Sequence, residues 1–205
     1  MARSVVGYIG ANGINNMAST SSTSSVETTT GLPINTGLEV GTFRELGAGS
    51  ATQYSYTTPT TAYPWGQLYE GLYMWVQLDP TVATDPIPLG TALAWLTANQ
   101  TPTVTTLNTT TNADFAGISI DSNFGKSHPY AYICVSGKVL ALFDATANTA
   151  FGDVISLSTA TQGSVTRTGA SNNATNGLTI GIALTTTGVA STRNLIRIIR
   201  AQARY

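Results

Sequence analysis

The side chains able to do chemistry are few, and their spacing suits none of the common reactions. His128 is the single histidine and Cys134 the single cysteine. A nucleophilic triad needs its Ser or Cys on a turn that exposes it, and the chain has no Gly-x-Ser-x-Gly elbow. Cys134 lies in the apolar run Tyr130-Ala-Tyr-Ile-Cys-Val135, with no second cysteine to bridge and no metal-ligand spacing, so it reads as a buried thiol. Asp114, Asp121, Asp144 and Asp153 stand beside turn residues, where a carboxylate bonds neighbouring backbone N–H groups. Neither the steps of a calcium loop nor a glycosidase carboxylate pair is recognisable among them. Gly7-x-x-Gly10-x-x-Gly13 has the look of a phosphate loop but lacks the lysine and the strand–helix setting. The expectation is a protein that is not an enzyme, with no catalytic residue, no metal ligand and no cofactor.

Aromatic side chains offer a different chemistry. Tyr54, Tyr56, Trp65, Tyr69 and Trp75 crowd into a short stretch. Exposed Tyr and Trp build carbohydrate platforms, and the same residues fill cores and subunit interfaces. The sequence leaves both uses open.

Charge narrows the partners. Charged residues are 9% of the chain, far under the usual quarter, so the surface is polar but largely uncharged. Such a surface suits extensive contact, because few charges need desolvating. It equally suits a plain all-β chain rich in Thr, Asn and Gly. Net charge is −1, yet Arg193, Arg197, Arg200 and Arg204 fall in the last thirteen positions, which hold no acid. A basic end can meet phosphate or an acidic neighbour. With no aromatic interleaving or known motif, nucleic acid is not expected. No apolar run reaches membrane-spanning length, so no membrane partner is expected. The first residues lack the apolar core of a signal peptide, which points to synthesis in a reducing cytoplasm.

The elements that must carry these residues are strands. Phe151-Gly-Asp-Val-Ile-Ser-Leu-Ser158 opens on a Gly-Asp turn signal and then alternates. Gln162-Gly163 marks the next turn, and Leu178-Thr-Ile-Gly-Ile-Ala-Leu184 alternates again, with Gly181 in mid-strand. A weaker copy lies upstream, where Leu89-Gly-Thr-Ala-Leu-Ala-Trp95 aligns with Phe151–Leu157 and Ala116-Gly-Ile-Ser-Ile120 with Ile180–Leu184. An aspartate follows an apolar run before each copy, at Asp79 and Asp144. The reading is an internal duplication in which Gly90 matches Gly152, and Gly117 matches Gly181, as structural turns or close approaches. The fold expected is all-β, two related small β-barrel or sandwich modules preceded by an extended N-terminal arm. Residues 1–36 form the Ser/Thr-rich arm, residues 37–127 the first module and residues 128–205 the second. Ten of the twelve residues from Ser19 to Thr30 are Ser or Thr, too polar to order themselves. Val5, Val6, Tyr8 and Ile9 could add a strand to a neighbour's sheet edge, whether capsid or subunit.

From about Tyr130 to Ile199 the pattern is an apolar strand, Ala147-x-x-Ala150-x-Gly152-Asp153-x-Ile155, a Val-Thr strand, Ile180-Gly-Ile-Ala-Leu184, then Leu195-Ile-Arg-Ile198. This resembles the small β-barrel decoration, or cement, proteins of tailed-phage capsids. The upstream copy departs from it, with Pro86 and Pro88 before Gly90 and Thr91 in place of the aspartate. The resemblance implies a structural virion protein on the outer capsid surface. Its partners would be the major capsid protein and copies of itself, a trimer by expectation, and its action the bridging of neighbouring capsid subunits. The alternative is a head-fibre or receptor-binding module that takes glycans on the aromatic cluster.

Overall fold

A computed structural model describes residues 40–48, 67–82, 84–96, 102–106, 114–144, 148–158, 160–168, 174–186 and 193–199, with backbone alone for 174–178. Val5, Val6, Tyr8, Ile9, Tyr54, Tyr56 and Trp65 lie outside the described residues, as does the proposed arm. Every element among the described residues is a strand: β1 Phe43–Leu46, β2 Gly71–Leu78, β3 Ala92–Trp95, β4 Thr103–Thr106, β5 Phe115–Ser119, β6 Tyr130–Leu142, β7 Val154–Ser158, β8 Val165–Arg167, β9 Ala174–Ala183 and β10 Arg193–Ile198. The protein is all-β, as the Thr, Val and Ile content and the Gly/Pro punctuation require.

Hydrogen bonding runs in the order β1-β2-β4-β3-β5-β6-β10-β9-β7-β8, and β2 also pairs β6. That extra pairing closes β2, β4, β3, β5 and β6 into a five-strand barrel. One of its seams is parallel, Gln77 opposite Thr103 and Leu78 opposite Val104. Extra strands continue from β6, which is long enough to serve twice. Its first half pairs β2 and β5, and from Gly137 onward it pairs β10. Gly137 has φ +101°, a turn of the backbone that favours glycine and lets one strand change partners. Beyond β6, an isolated parallel bridge sets Phe143 against Val165 of β8.

Several pairings among β2–β6 have similarly spaced pairings among β6–β10. Leu93 faces Gly117 in β3–β5, and Ile155 faces Gly181 in β7–β9. A bulge follows immediately in both, after Leu93 and after Ile155. Trp95 faces Val104, and Leu157 faces Val165. Ile118 faces Cys134 in β5–β6, and Ile182 faces Arg197 in β9–β10. The aspartates correspond too: Asp79 N–H donates to Val104 O at 2.8 Å, and Asp144 N–H to Val165 O at 3.0 Å.

Two apolar clusters fill the molecule. Met74, Val76, Leu93, Trp95, Val104 and Ile133 lie in one. Tyr73, Trp75 and Tyr132 lie in the other, with Val139, Phe143, Ile155, Val165 and Ile196. Strand β2 therefore buries both faces, and its unbroken run Tyr73-Met-Trp-Val76 is what a doubly covered strand needs. The β7 serines depart from the simple alternation expected of them. Ser156 and Ser158 are as buried as Ile155 and Leu157, because each hydroxyl has a partner, Thr168 and Asp144 respectively.

Candidate functional site

The groups able to do chemistry are dispersed by the fold and committed to holding it. Cys134 sits in the middle of β6, fully buried, and its thiol donates to Ser136 O at 3.4 Å. Burial pushes its pKa from 9.0 up to about 12, with the Ser136 contact opposing, so it is a protonated core group rather than a nucleophile. His128 is half-buried in the loop before β6, where its backbone exchanges bonds with Gly125 at 3.1 and 3.2 Å. Among the described residues, no three His, Cys, Asp or Glu side chains gather as metal ligands.

The aspartates act on local backbone and hydroxyls. Asp121 Oδ1 accepts Asn123 N–H at 2.7 Å, and Asp153 Oδ2 accepts Ala150 N–H at 2.8 Å. Asp144 Oδ2 accepts the Ser158 hydroxyl at 2.6 Å, and Ser158 Oγ in turn accepts Ala160 and Thr161 N–H at 3.1 and 3.2 Å. Asp79 does similar work after β2, accepting Thr81 N–H at 2.9 Å and the Thr81 hydroxyl at 2.8 Å.

Of the aromatic cluster, Tyr69 and Trp75 are described. Trp75 is fully buried and tilts against Tyr132 with ring centroids 5.0 Å apart, so its indole has no open face for a sugar. Its Nε1–H finds no acceptor. Tyr69 is half-exposed, and its carbonyl accepts the Tyr73 hydroxyl at 2.6 Å. Burial pushes the Tyr73 and Tyr132 phenols up, and for Tyr132 the guanidinium of Arg44, 5.6 Å over the ring, acts in the opposite direction.

The four glycines sit at turns and at close approaches of neighbouring strands. Gly90 and Gly152 have φ +84° and +87° at the turns before β3 and β7. Gly90 N–H donates to Ser119 O and Gly152 N–H to Ala183 O, at 3.0 and 2.9 Å. Gly117 and Gly181 lie where a neighbouring strand presses closest: a Cβ on either would strike a carbonyl of the facing strand, Cys134 O or Arg197 O.

One surface escaped the sequence reading. Strand β10 alternates so that Asn194, Ile196 and Ile198 turn inward while Arg193, Leu195 and Arg197 turn outward. Around that row lie Phe151, Val154 and Ile199, which are 73%, 40% and 58% exposed. The period-two pattern of Arg193-Asn-Leu-Ile-Arg-Ile carried the signal, but grouping its arginines with Arg200 and Arg204 as a basic tail hid it. The chain matches no protein-family model, and no curated protein matches it.

Proposed function

We propose that the chain is an internally duplicated β-barrel protein that attaches to the outside of a tailed-phage capsid and stabilises it by bridging neighbouring capsid subunits. The paired registers, down to a bulge and a glycine at the same place in each half, support the duplication. The observation that carries the capsid reading is that the segment resembling decoration proteins, Tyr130 to Ile199, forms one continuous run of neighbouring strands, β6-β10-β9-β7-β8, whose apolar residues share a core with those of the first half. Its apolar strands are spent on core, its acids on turns, and its surface carries few charges. That composition fits a molecule whose work is contact. The mechanism is mechanical: each contact of standard size buries roughly 1,600 Å², and repetition over a symmetric shell multiplies the effect. Residues 1–36 would reach the neighbouring subunit, with Val5, Val6, Tyr8 and Ile9 adding a strand to its sheet edge.

The test uses purified shells with and without the full chain. Added protein should sediment with the shells and raise the temperature at which they rupture. Deleting residues 1–36 should leave a folded β-domain that no longer attaches. A full chain that stays in the supernatant overturns the capsid reading, and a truncated chain that binds with undiminished affinity overturns the role of the arm.

A further inference from the structure

We infer that the turn at residues 150–153, with Phe151 at its tip, docks on an exposed strand edge of a shell subunit, Gly152 O accepting a strand N–H while Phe151 and Val154 pack beside it. A bridge needs two ends, and the proposed arm supplies one. This turn is the other, and it rests on the capsid reading for its partner.

The chain itself shows what such a turn binds, because two of its turns are built alike. Gly90 before β3 and Gly152 before β7 have φ +84° and +87°. Gly90 N–H donates to Ser119 O and Gly152 N–H to Ala183 O. Ser119 N–H and Ala183 N–H return bonds to Thr91 O and Asp153 O, at 2.9 and 2.8 Å. The first of these turns is docked. Gly90 is buried, its carbonyl accepts Leu142 N–H at 2.8 Å, and Leu89 beside it is half-buried. The surface it meets is the backbone of Leu140, Ala141 and Leu142 in β6. A left-handed glycine turn thus fits closely against a strand and takes an N–H that no other strand uses.

The second turn has the same build and no such strand. Gly152 is exposed, a Cβ on it would meet nothing within 4 Å, and its carbonyl accepts no bond among the described residues. Phe151, in the place of Leu89, is 73% exposed, and Val154 is 40% exposed. The turn is nonetheless held in place. Asp153 Oδ2 accepts Ala150 N–H at 2.8 Å and pairs with Arg167 at 3.6 Å, and the Thr186 hydroxyl accepts Phe151 N–H at 3.3 Å. An aromatic side chain on a preorganised turn loses little freedom on binding, and aromatic residues are enriched where interfaces anchor. The unused carbonyl calls for a backbone donor, and the exposed phenyl for an apolar neighbour. A strand edge bearing apolar side chains supplies both, just as β6 offers Leu142 N–H to Gly90.

The experiment is co-sedimentation of the purified full chain with shells over a range of chain concentrations. Phe151→Ser with Val154→Ser should weaken binding by more than about tenfold. Circular dichroism and urea midpoint should hold, because both side chains are exposed. Phe151→Leu should bind as the native chain does, since a leucine stands at that place in the docked turn. A double-serine variant that binds shells with native affinity overturns the inference and leaves the capsid reading standing. A Phe151→Leu chain that binds no better than the double-serine variant overturns the likeness to the Gly90 turn, and with it the inference. A native chain that stays in the supernatant overturns the capsid reading, and the shell as partner of this turn falls with it. The same variants run alone in sedimentation equilibrium test the other occupant: loss of self-association with shell binding intact makes a second copy the partner and overturns the inference.

Discussion

Gly90 and Gly152 make the same turn in the two halves with nearly the same φ, yet their surroundings differ, so one substitution separates two costs. A Cβ on Gly152 would meet nothing within 4 Å. Gly152→Ala then bears only the backbone strain of a left-handed residue, about 1–2 kcal/mol. A Cβ on Gly90 would lie 2.8 Å from Leu142 N, 3.0 Å from Leu140 O and 3.1 Å from Ala141 C, all backbone of β6. These atoms cannot swing aside as a side chain can. Gly90→Ala adds overpacking of about 1–3 kcal/mol to the same strain. It also strains the bond that Gly90 O accepts from Leu142 N–H at 2.8 Å, worth about 1 kcal/mol. The expected loss is about 1–2 kcal/mol for Gly152→Ala and about 3–6 kcal/mol for Gly90→Ala. Urea titration followed by tryptophan fluorescence reads both as shifts in midpoint at constant slope. Equal losses would refute the close approach of this turn to β6. No loss at Gly152 would refute the need for positive φ.

Three further outcomes follow from the buried polar groups. The native Cys134 thiol should ignore a disulfide reagent at mildly alkaline pH and react with one equivalent once the chain is unfolded; rapid reaction of the native protein would contradict its burial. Its folded pKa of about 12 lies above the ordinary 9.0, so the folded state holds a proton that the unfolded chain releases. The stability tied to it is intact below pH 9.0 and lost as pH rises toward about 12, with Tyr73 and Tyr132 acting in the same sense. Urea midpoints should therefore fall on the alkaline side, and Cys134→Ala should flatten part of that fall. Ser158→Ala removes a buried donor from Asp144 and an acceptor from two N–H groups. It should cost about 1–3 kcal/mol in urea titration, and a silent change would mean that the hydroxyl is not the group holding Asp144.

Local chemistry made much of the fold legible. Gly-Asp and Gln-Gly marked turns because only certain residues tolerate those backbone angles. Period-two runs such as Val154–Ser158 marked strands because alternate side chains of a strand point to opposite faces. Repeated spacing of Gly90/Gly152 and Gly117/Gly181 pointed to corresponding positions, and Leu93 faces Gly117 as Ile155 faces Gly181. Burial on both faces of β2 fits its run Tyr73-Met-Trp-Val76, which leaves no polar side for water.

What the sequence could not decide was which strand meets which. The chain changes partners at Gly137, inside β6, because one long strand can serve two sets of neighbours when a glycine lets its backbone turn. Closure of β2 onto β6 joins residues far apart in the chain, and no local pattern encodes such a pairing. Trp75 looked as available as Tyr69 in the sequence, and only the packing of β2 against Tyr132 removed it from the surface. Leu140 and Leu195 read as core residues by type. Tertiary structure alone leaves them half-buried, because Leu46 and Leu68, which share the cluster of Trp75 and Tyr132, have no equivalent beside Leu140 and Leu195 among the described residues.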